Sequence, residues 1–231
     1  LVLVGGINAW NMIDGIDGLA SVQAFIALGF LLVIAGSSTP ALQASLLALL
    51  CAIGAFFLFN LPFRGLRRNR TFLGDAGSMF LGLAIVWHAL ALSQGATAVI
   101  SPITALWFVA LPVYDVLTTT MRRVLKGRSP LAGDRQHLHH LLQDHGLCIR
   151  QTLAVLAVLS LLAGMTGLSC HYAGVSDRLS FTLFGLLGAA YFVGVRHLAS
   201  ALSRIGEKIL TPPVDESAAD GVRFSVITVC F

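Results

Sequence analysis

The chain is divided into long uncharged runs separated by short polar stretches. No Asp, Glu, Lys or Arg lies between Asp17 and Arg64, between Asp75 and Asp115, between Arg150 and Asp177, or between Arg178 and Arg196. A helix of about 20 apolar residues, rising about 1.5 Å per residue, crosses the hydrocarbon core of a bilayer. The first two runs are too long for one helix, and each holds a hinge. Gly36-Ser37-Ser38-Thr39-Pro40 divides the first, and Ser93-Gln94-Gly95-Ala96-Thr97 divides the second. The pattern therefore predicts six spans, over residues 19–36, 41–59, 77–94, 98–116, 151–170 and 179–198. Residues 1–9 read as the tail of a further helix. The segments are too long for barrel strands and lack in–out polar alternation. The expected fold class is all-α: a polytopic membrane helical bundle with about six complete transmembrane helices plus part of one more.

Composition agrees with that pattern. Of 231 residues, 56% are hydrophobic and 11% charged, against about 25% charged in a soluble domain, and the mean hydropathy is +0.83. Alternating the spans puts the loops on two sides. One side carries Arg64, Arg67, Arg68, Arg70, Arg122, Arg123, Lys126, Arg128, Arg135, Arg150, Arg204, Lys208 and Arg223, with Arg196 at its membrane edge; the other carries Arg178 alone. Cytoplasmic loops are the ones enriched in Lys and Arg, which places the basic side in the cytoplasm. The net charge of +4 thus has a topological explanation, and no nucleic-acid partner is expected. Cys51, Cys148, Cys170 and Cys230 show no metal-ligand or disulfide spacing.

Three polar clusters fall on the cytoplasmic side, each at the end of a span. The first runs from Asn8 to Gly18 and contains Asn8, Asn11, Asp14, Gly15 and Asp17. Asn8 and Asn11 share a face if the first helix continues. Gly15 and Gly18 favour a tight turn that directs Asp14 and Asp17 into one space. Two amides and two carboxylates at a membrane edge are costly unless they bind something, and helix capping accounts for one such residue rather than four.

The second cluster is Phe72-Leu73-Gly74-Asp75-Ala76-Gly77-Ser78. Asp75 is either a helix cap or a carboxylate beside the open N–H groups of Gly74 and Gly77, an arrangement suited to a metal-bound phosphate. Arg64, Arg67, Arg68 and Arg70 just upstream add an anion-attracting field. The third cluster, Asp134-Arg135-Gln136-His137-Leu138-His139-His140-Leu141, places histidines beside an arginine. A zinc site lacks ligands, since only Asp134 and His145 lie near and no cysteine completes a tetrahedral set. A phosphate clamp of Arg135 with His137, His139 and His140 fits better. Oxygen donors suit Mg²⁺ joined to substrate phosphates, with Mn²⁺ as a second candidate. The chemistry implied is phosphoryl transfer at the membrane surface.

In order and rough spacing, these clusters resemble the polyprenyl-phosphate N-acetylhexosamine-1-phosphate transferases, glycosyltransferase family 4. That family carries N-x-x-N-x-x-D-G-x-D-G-L, here Asn8 to Leu19, then F-x-G-D-x-G-S, here Phe72 to Ser78, then a histidine-rich cytoplasmic loop. The resemblance runs from Leu1 to about Leu210. The Asp134–Leu141 form is similar to the bacterial branch that uses UDP-N-acetylglucosamine for O-antigen, common antigen or teichoic-acid linkage units. The O-antigen or common-antigen type is the nearest.

The resemblance implies transfer of an N-acetylhexosamine-1-phosphate, N-acetylglucosamine-1-phosphate by default, from a UDP-sugar to undecaprenyl phosphate, with release of UMP. It implies that Asp14, Asp17, Asp75, His137, His139 and His140 are catalytic, that Asn8, Asn11 and Arg135 bind substrate, and that Asp75 and Asn11 hold Mg²⁺. The expected partners are the UDP-N-acetylhexosamine, undecaprenyl phosphate and the lipid bilayer, with a homodimer as a further candidate. The expected location is the bacterial inner membrane, with the active site facing the cytoplasm.

The sequence departs from the family in one respect. An acidic pair expected in a cytoplasmic loop upstream of the first motif is absent, the only adjacent acids being Asp215 and Glu216 in the tail. The expectation is therefore that N-terminal spans are missing and that the chain alone is inactive. The expected organisation is a membrane-embedded transferase domain over 1–210 and a linker over 211–222. Residues 223–231 form an apolar, β-branched run that resembles the opening strand of a family-2 glycosyltransferase.

A transporter or flippase is the rival from another class. It would need polar residues through the bilayer, whereas the spans offer His88, which reads as hydrogen-bonded between helices. Asp115, beside Pro112 at the cytoplasmic end of its span, either lines the cleft or caps a helix.

Overall fold

The computed structural model describes residues 2–36, 39–60, 71–95, 98–127, 129 and 137–210, with side chains described as far as residue 200. Among these residues the elements are all helices: α1 (Val2–Ile13), α2 (Leu19–Ala35), α3 (Pro40–Asn60), α4 (Gly74–Ser93), α5 (Pro102–Phe108), α6 (Ala110–Leu125), α7 (Leu138–Asp144), α8 (Ile149–Tyr172) and α9 (Asp177–Leu210). The architecture is a polytopic helical membrane bundle. Helices α3, α4, α8 and the first part of α9 are each long and apolar enough to cross a bilayer. The proposed linker over 211–222 and the strand-like run over 223–231 lie outside the described residues.

The expected span over 98–116 is not one helix. It is two, α5 and α6, bent by 83° at Val109, which has non-helical φ −117° and ψ 19°. Pro112 supplies the physical reason: it has no N–H to bond the Phe108 carbonyl, and its ring excludes that carbonyl from the helical position. Beyond the bend, α6 reverses the pattern of a soluble helix. Asp115, Thr118, Thr119, Arg122 and Arg123 are buried, while Leu117, Met121, Val124 and Leu125 are exposed. That is the face distribution of a helix whose outer side meets lipid and whose inner side meets a polar centre.

Apolar lipid gives helices little hydrophobic reason to associate, so close packing and interhelical hydrogen bonds carry the fold. Helix α1 lies against α4, where Gly82 lets the backbones approach. A Cβ there would stand 2.8 Å from the Gly6 carbonyl oxygen and 3.1 Å from Trp10 Cβ. Leu28, Leu31, Leu46, Ile85 and Trp107 fill the core. Trp107 Nε1 donates to Ser180 Oγ (3.0 Å) and the Tyr114 hydroxyl to the Phe184 carbonyl (2.7 Å), fastening α5 and α6 to α9. His88 is satisfied in place, between the Ala84 carbonyl (2.7 Å) and Ser45 Oγ (2.8 Å). It therefore joins α4 to α3 and reads as structural.

Candidate active site

All three polar clusters end on the same side of the bundle. Helix α1 runs to Ile13, and a short turn carries Asp14–Gly18 to the start of α2. Gly18 takes the left-handed conformation (φ 87°) that the turn requires. Gly74, also left-handed, starts α4 with Asp75 in its first turn. Asp14, Asp17 and Asp75 thereby line one cavity of about 310 Å³, shared with Asn60, Phe72, Leu73 and Gly74. Burial raises the Asp14 carboxyl above its ordinary value, and the carboxylates of Asp17 and Asp75 raise it further.

The histidine cluster backs this cavity rather than lining it. His137 precedes α7 and His139 and His140 lie in its first turn. His139 is buried, with only 2% of its surface exposed, and its Nε2 abuts Gly15 so closely that any Cβ at position 15 would collide with the ring. Gly15 is therefore required by a close approach, not by the turn itself. Burial, followed by neighbouring His140, pushes the His139 pKa down to about 4 although Asp115 opposes the shift. His139 Nε2 finds no hydrogen-bond partner among the described residues. His140 packs on His139 with ring centroids 4.2 Å apart.

His137 is held by Asp115. Its Nδ1 lies 2.8 Å from Asp115 Oδ2, and Thr119 Oγ1 is 3.4 Å from the same nitrogen. Asp115 Oδ1 accepts from the Leu138 backbone N–H (3.0 Å) and from the Tyr191 hydroxyl (3.0 Å). One buried carboxylate thus joins α6, the start of α7 and α9.

The two amides of the first motif serve the scaffold as they stand. Asn11 Oδ1 accepts from Ser78 Oγ (2.8 Å), tying α1 to α4. Asn8 Nδ2 donates to the Val4 carbonyl within its own helix (2.8 Å). Neither is among the residues lining the carboxylate cavity. Arg135, and with it Arg64, Arg67, Arg68 and Arg70, lies outside the described residues.

Residues 1–93 match the model of glycosyl transferase family 4. An undecaprenyl-phosphate alpha-N-acetylglucosaminyl 1-phosphate transferase of Escherichia coli O157:H7 is 39% identical over 189 residues, 80% of this chain and 51% of the relative. The enzyme of that name from Escherichia coli K12 is 39% identical over 170 residues, 72% of this chain and 46% of the relative. That from Pasteurella multocida Pm70 is 36% identical over 173 residues, 75% of this chain and 48% of the relative. The chain belongs to glycosyl transferase family 4. It spans about half the length of the curated relatives it matches.

In this family-4 chain the donor set suits a hard divalent cation. Three carboxylates facing one cavity repel each other, which adds to burial in raising Asp14, and a cation would offset that repulsion. Among the described residues no group of three His, Cys, Asp or Glu converges tightly enough to hold a metal unaided. Binding through one or two carboxylates plus substrate phosphates is the ordinary mode for Mg²⁺, so the residues present fit it.

Sequence reasoning missed Asn60, whose side chain lines the family-4 cavity and donates to the Thr71 carbonyl (2.9 Å). The signal was a lone amide closing an apolar run. It left Asp115 open and missed Tyr191, which lies within an uncharged run and contacts Asp115 only through the folded packing.

Proposed function

We propose that this chain is part of an enzyme that transfers N-acetylglucosamine-1-phosphate from UDP-N-acetylglucosamine to undecaprenyl phosphate. This is the initiating step of O-antigen or another cell-envelope polysaccharide, in the bacterial inner membrane with the site facing the cytoplasm. One observation carries the reading: Asp14, Asp17 and Asp75, from two motifs far apart in sequence, line one cavity, and the histidine helix of the third motif packs directly behind it at Gly15. The names of the relatives supply the lipid phosphate and the N-acetylglucosaminyl 1-phosphate group.

A phosphate oxygen of undecaprenyl phosphate attacks the β-phosphorus of the UDP-sugar. The new P–O bond forms the lipid pyrophosphoryl sugar, and the bond to the α-phosphate bridging oxygen breaks to release UMP. Such transfers depend on positioning and charge neutralisation more than on covalent help. Asp75 and the neighbouring Asp14 and Asp17 would hold Mg²⁺, which when bound neutralises phosphate charge. The buried α7 histidines supply an imidazole wall behind the cavity, and Arg135 is assigned to the pyrophosphate. The basic loops attract both anionic substrates.

The test is UMP release by membranes carrying the full-length protein, with each substrate and Mg²⁺ omitted in turn, beside an Asp75→Asn variant. A metal contributes several kcal/mol of charge stabilisation, so Asp75→Asn should lower kcat on the order of 10²-fold or more. Release that continues without the lipid phosphate would overturn the reading.

A further inference from the structure

Asp115 has a cost that a structural role does not require. A carboxylate taken out of water is expensive unless it is paired and hydrogen-bonded, and this one is 4% exposed. A neutral Asn or Ser at the same place would satisfy the Leu138 N–H that opens α7. What an ionised carboxylate adds is directed at His137, whose Nδ1 it meets at 2.8 Å. Hydrogen bonding at one ring nitrogen sets the tautomer and orientation of the other. With Nδ1–H donated to Asp115, Nε2 is left as the acceptor nitrogen of the ring. The carboxylate is itself held: Tyr191 from α9 and the Leu138 N–H both donate to Oδ1, leaving Oδ2 to the imidazole. The ring is clamped from the other side as well, lying parallel to His139 with centroids 5.8 Å apart and an interplanar angle of 10°.

We infer that Asp115, held by Tyr191, is a positioning residue that fixes the tautomer and orientation of the His137 imidazole, and through it the histidine wall behind the carboxylate cavity. This rests on the transferase reading and deepens it, since it gives the His137 ring a fixed tautomer and places the final described helix in the support of the site.

A double-variant cycle on UMP release tests it, using the full-length protein in membranes with UDP-N-acetylglucosamine, undecaprenyl phosphate and Mg²⁺. Asp115→Asn, His137→Asn and the double variant are compared for kcat and KM, with thermal unfolding in detergent to establish that each is folded. Loss of a residue that orients a working group costs about 10–100-fold. The expected result is a fall of that size in kcat for Asp115→Asn with KM for the sugar nucleotide little changed, and less than about a twofold further loss when the change is made in His137→Asn, because partners acting through one group are not additive. Tyr191→Phe, which removes one hydrogen bond and keeps the ring, covers the case in which Asp115→Asn does not fold. It should lower kcat about 2–10-fold with His137 present and have no effect in its absence.

Additive losses in the cycle, or wild-type kcat in Tyr191→Phe and Asp115→Asn, would overturn the inference while leaving the transferase reading intact. Unimpaired His137→Asn would overturn it at the imidazole. A parent with no lipid-dependent UMP release overturns the transferase reading and the inference together.

Discussion

At the scale of single residues, the contact between Gly15 and His139 makes the sharpest demands. Gly15→Ala places a methyl group against the His139 ring, and overpacking a tight contact costs about 1–3 kcal/mol. The expected outcome is a protein still inserted in the membrane but with lowered UMP release, measured against wild type at equal amounts of protein. The burial of His139 also makes stability depend on pH. Its pKa lies near 4 when folded, against an ordinary value of 6.5, so between those values the unfolded chain takes up a proton that the folded chain refuses. Stability is therefore full above about pH 6.5 and is lost progressively as pH falls toward about 4. Thermal unfolding in detergent across that window should show the decline, and His139→Asn should flatten it. The sequence identified Gly15 and His139 separately, one as a turn glycine and the other as a phosphate ligand. Their contact was invisible because it depends on where α7 docks, and no local pattern encodes that.

At the scale of elements, uncharged runs and hinges located the membrane helices well, because the bilayer imposes a minimum apolar length that any sequence must meet. Expected 41–59 became Pro40–Asn60, and expected 151–170 became Ile149–Tyr172. The exceptions were 19–36, where α2 (Leu19–Ala35) falls short of a spanning length, and 98–116. Pro112 breaks the second, and the charges of the amphipathic stretch after it give that stretch the sequence pattern of a loop. Its faces decide the next prediction. Leu117 is 59% exposed on the outer face of α6, where a soluble protein would accept a charge. If lipid covers that face, Leu117→Asp costs up to about 3 kcal/mol, falling toward the interface. Lower thermal stability and yield are expected, whereas unchanged stability would return α6 to water. The apolar face and the proline that breaks the helix were both written in the sequence; the size of the turn, 83°, was not.

At the scale of the whole molecule, the asymmetry of basic residues predicts where each loop lies. In a background with the four native cysteines replaced by serine, single cysteines at Gln94 and Ser176 should react with a membrane-impermeant maleimide from outside the inner membrane. Those at Gln143 and Leu147 should react only after the membrane is opened. The reverse pattern would place the carboxylate cavity on the wrong face for a cytosolic nucleotide. That the motifs gather together on one side of the bundle was legible, since each closes or opens an uncharged run. Which helices touch was not: runs that are apolar all round show no preferred face, and the α1–α4 contact rests on small residues such as Gly6 and Gly82 that carry no hydropathy signal.

The hydrogen bond from Tyr191 to Asp115 also sets an order of events during synthesis. Chains emerge and fold from the N-terminus at about 5–20 residues per second, so α9 leaves the ribosome after every other described helix. The carboxylates of Asp14, Asp17 and Asp75 are in the membrane well before that. Until α9 docks, Asp115 lacks one of its donors and the imidazole arm stands half-braced.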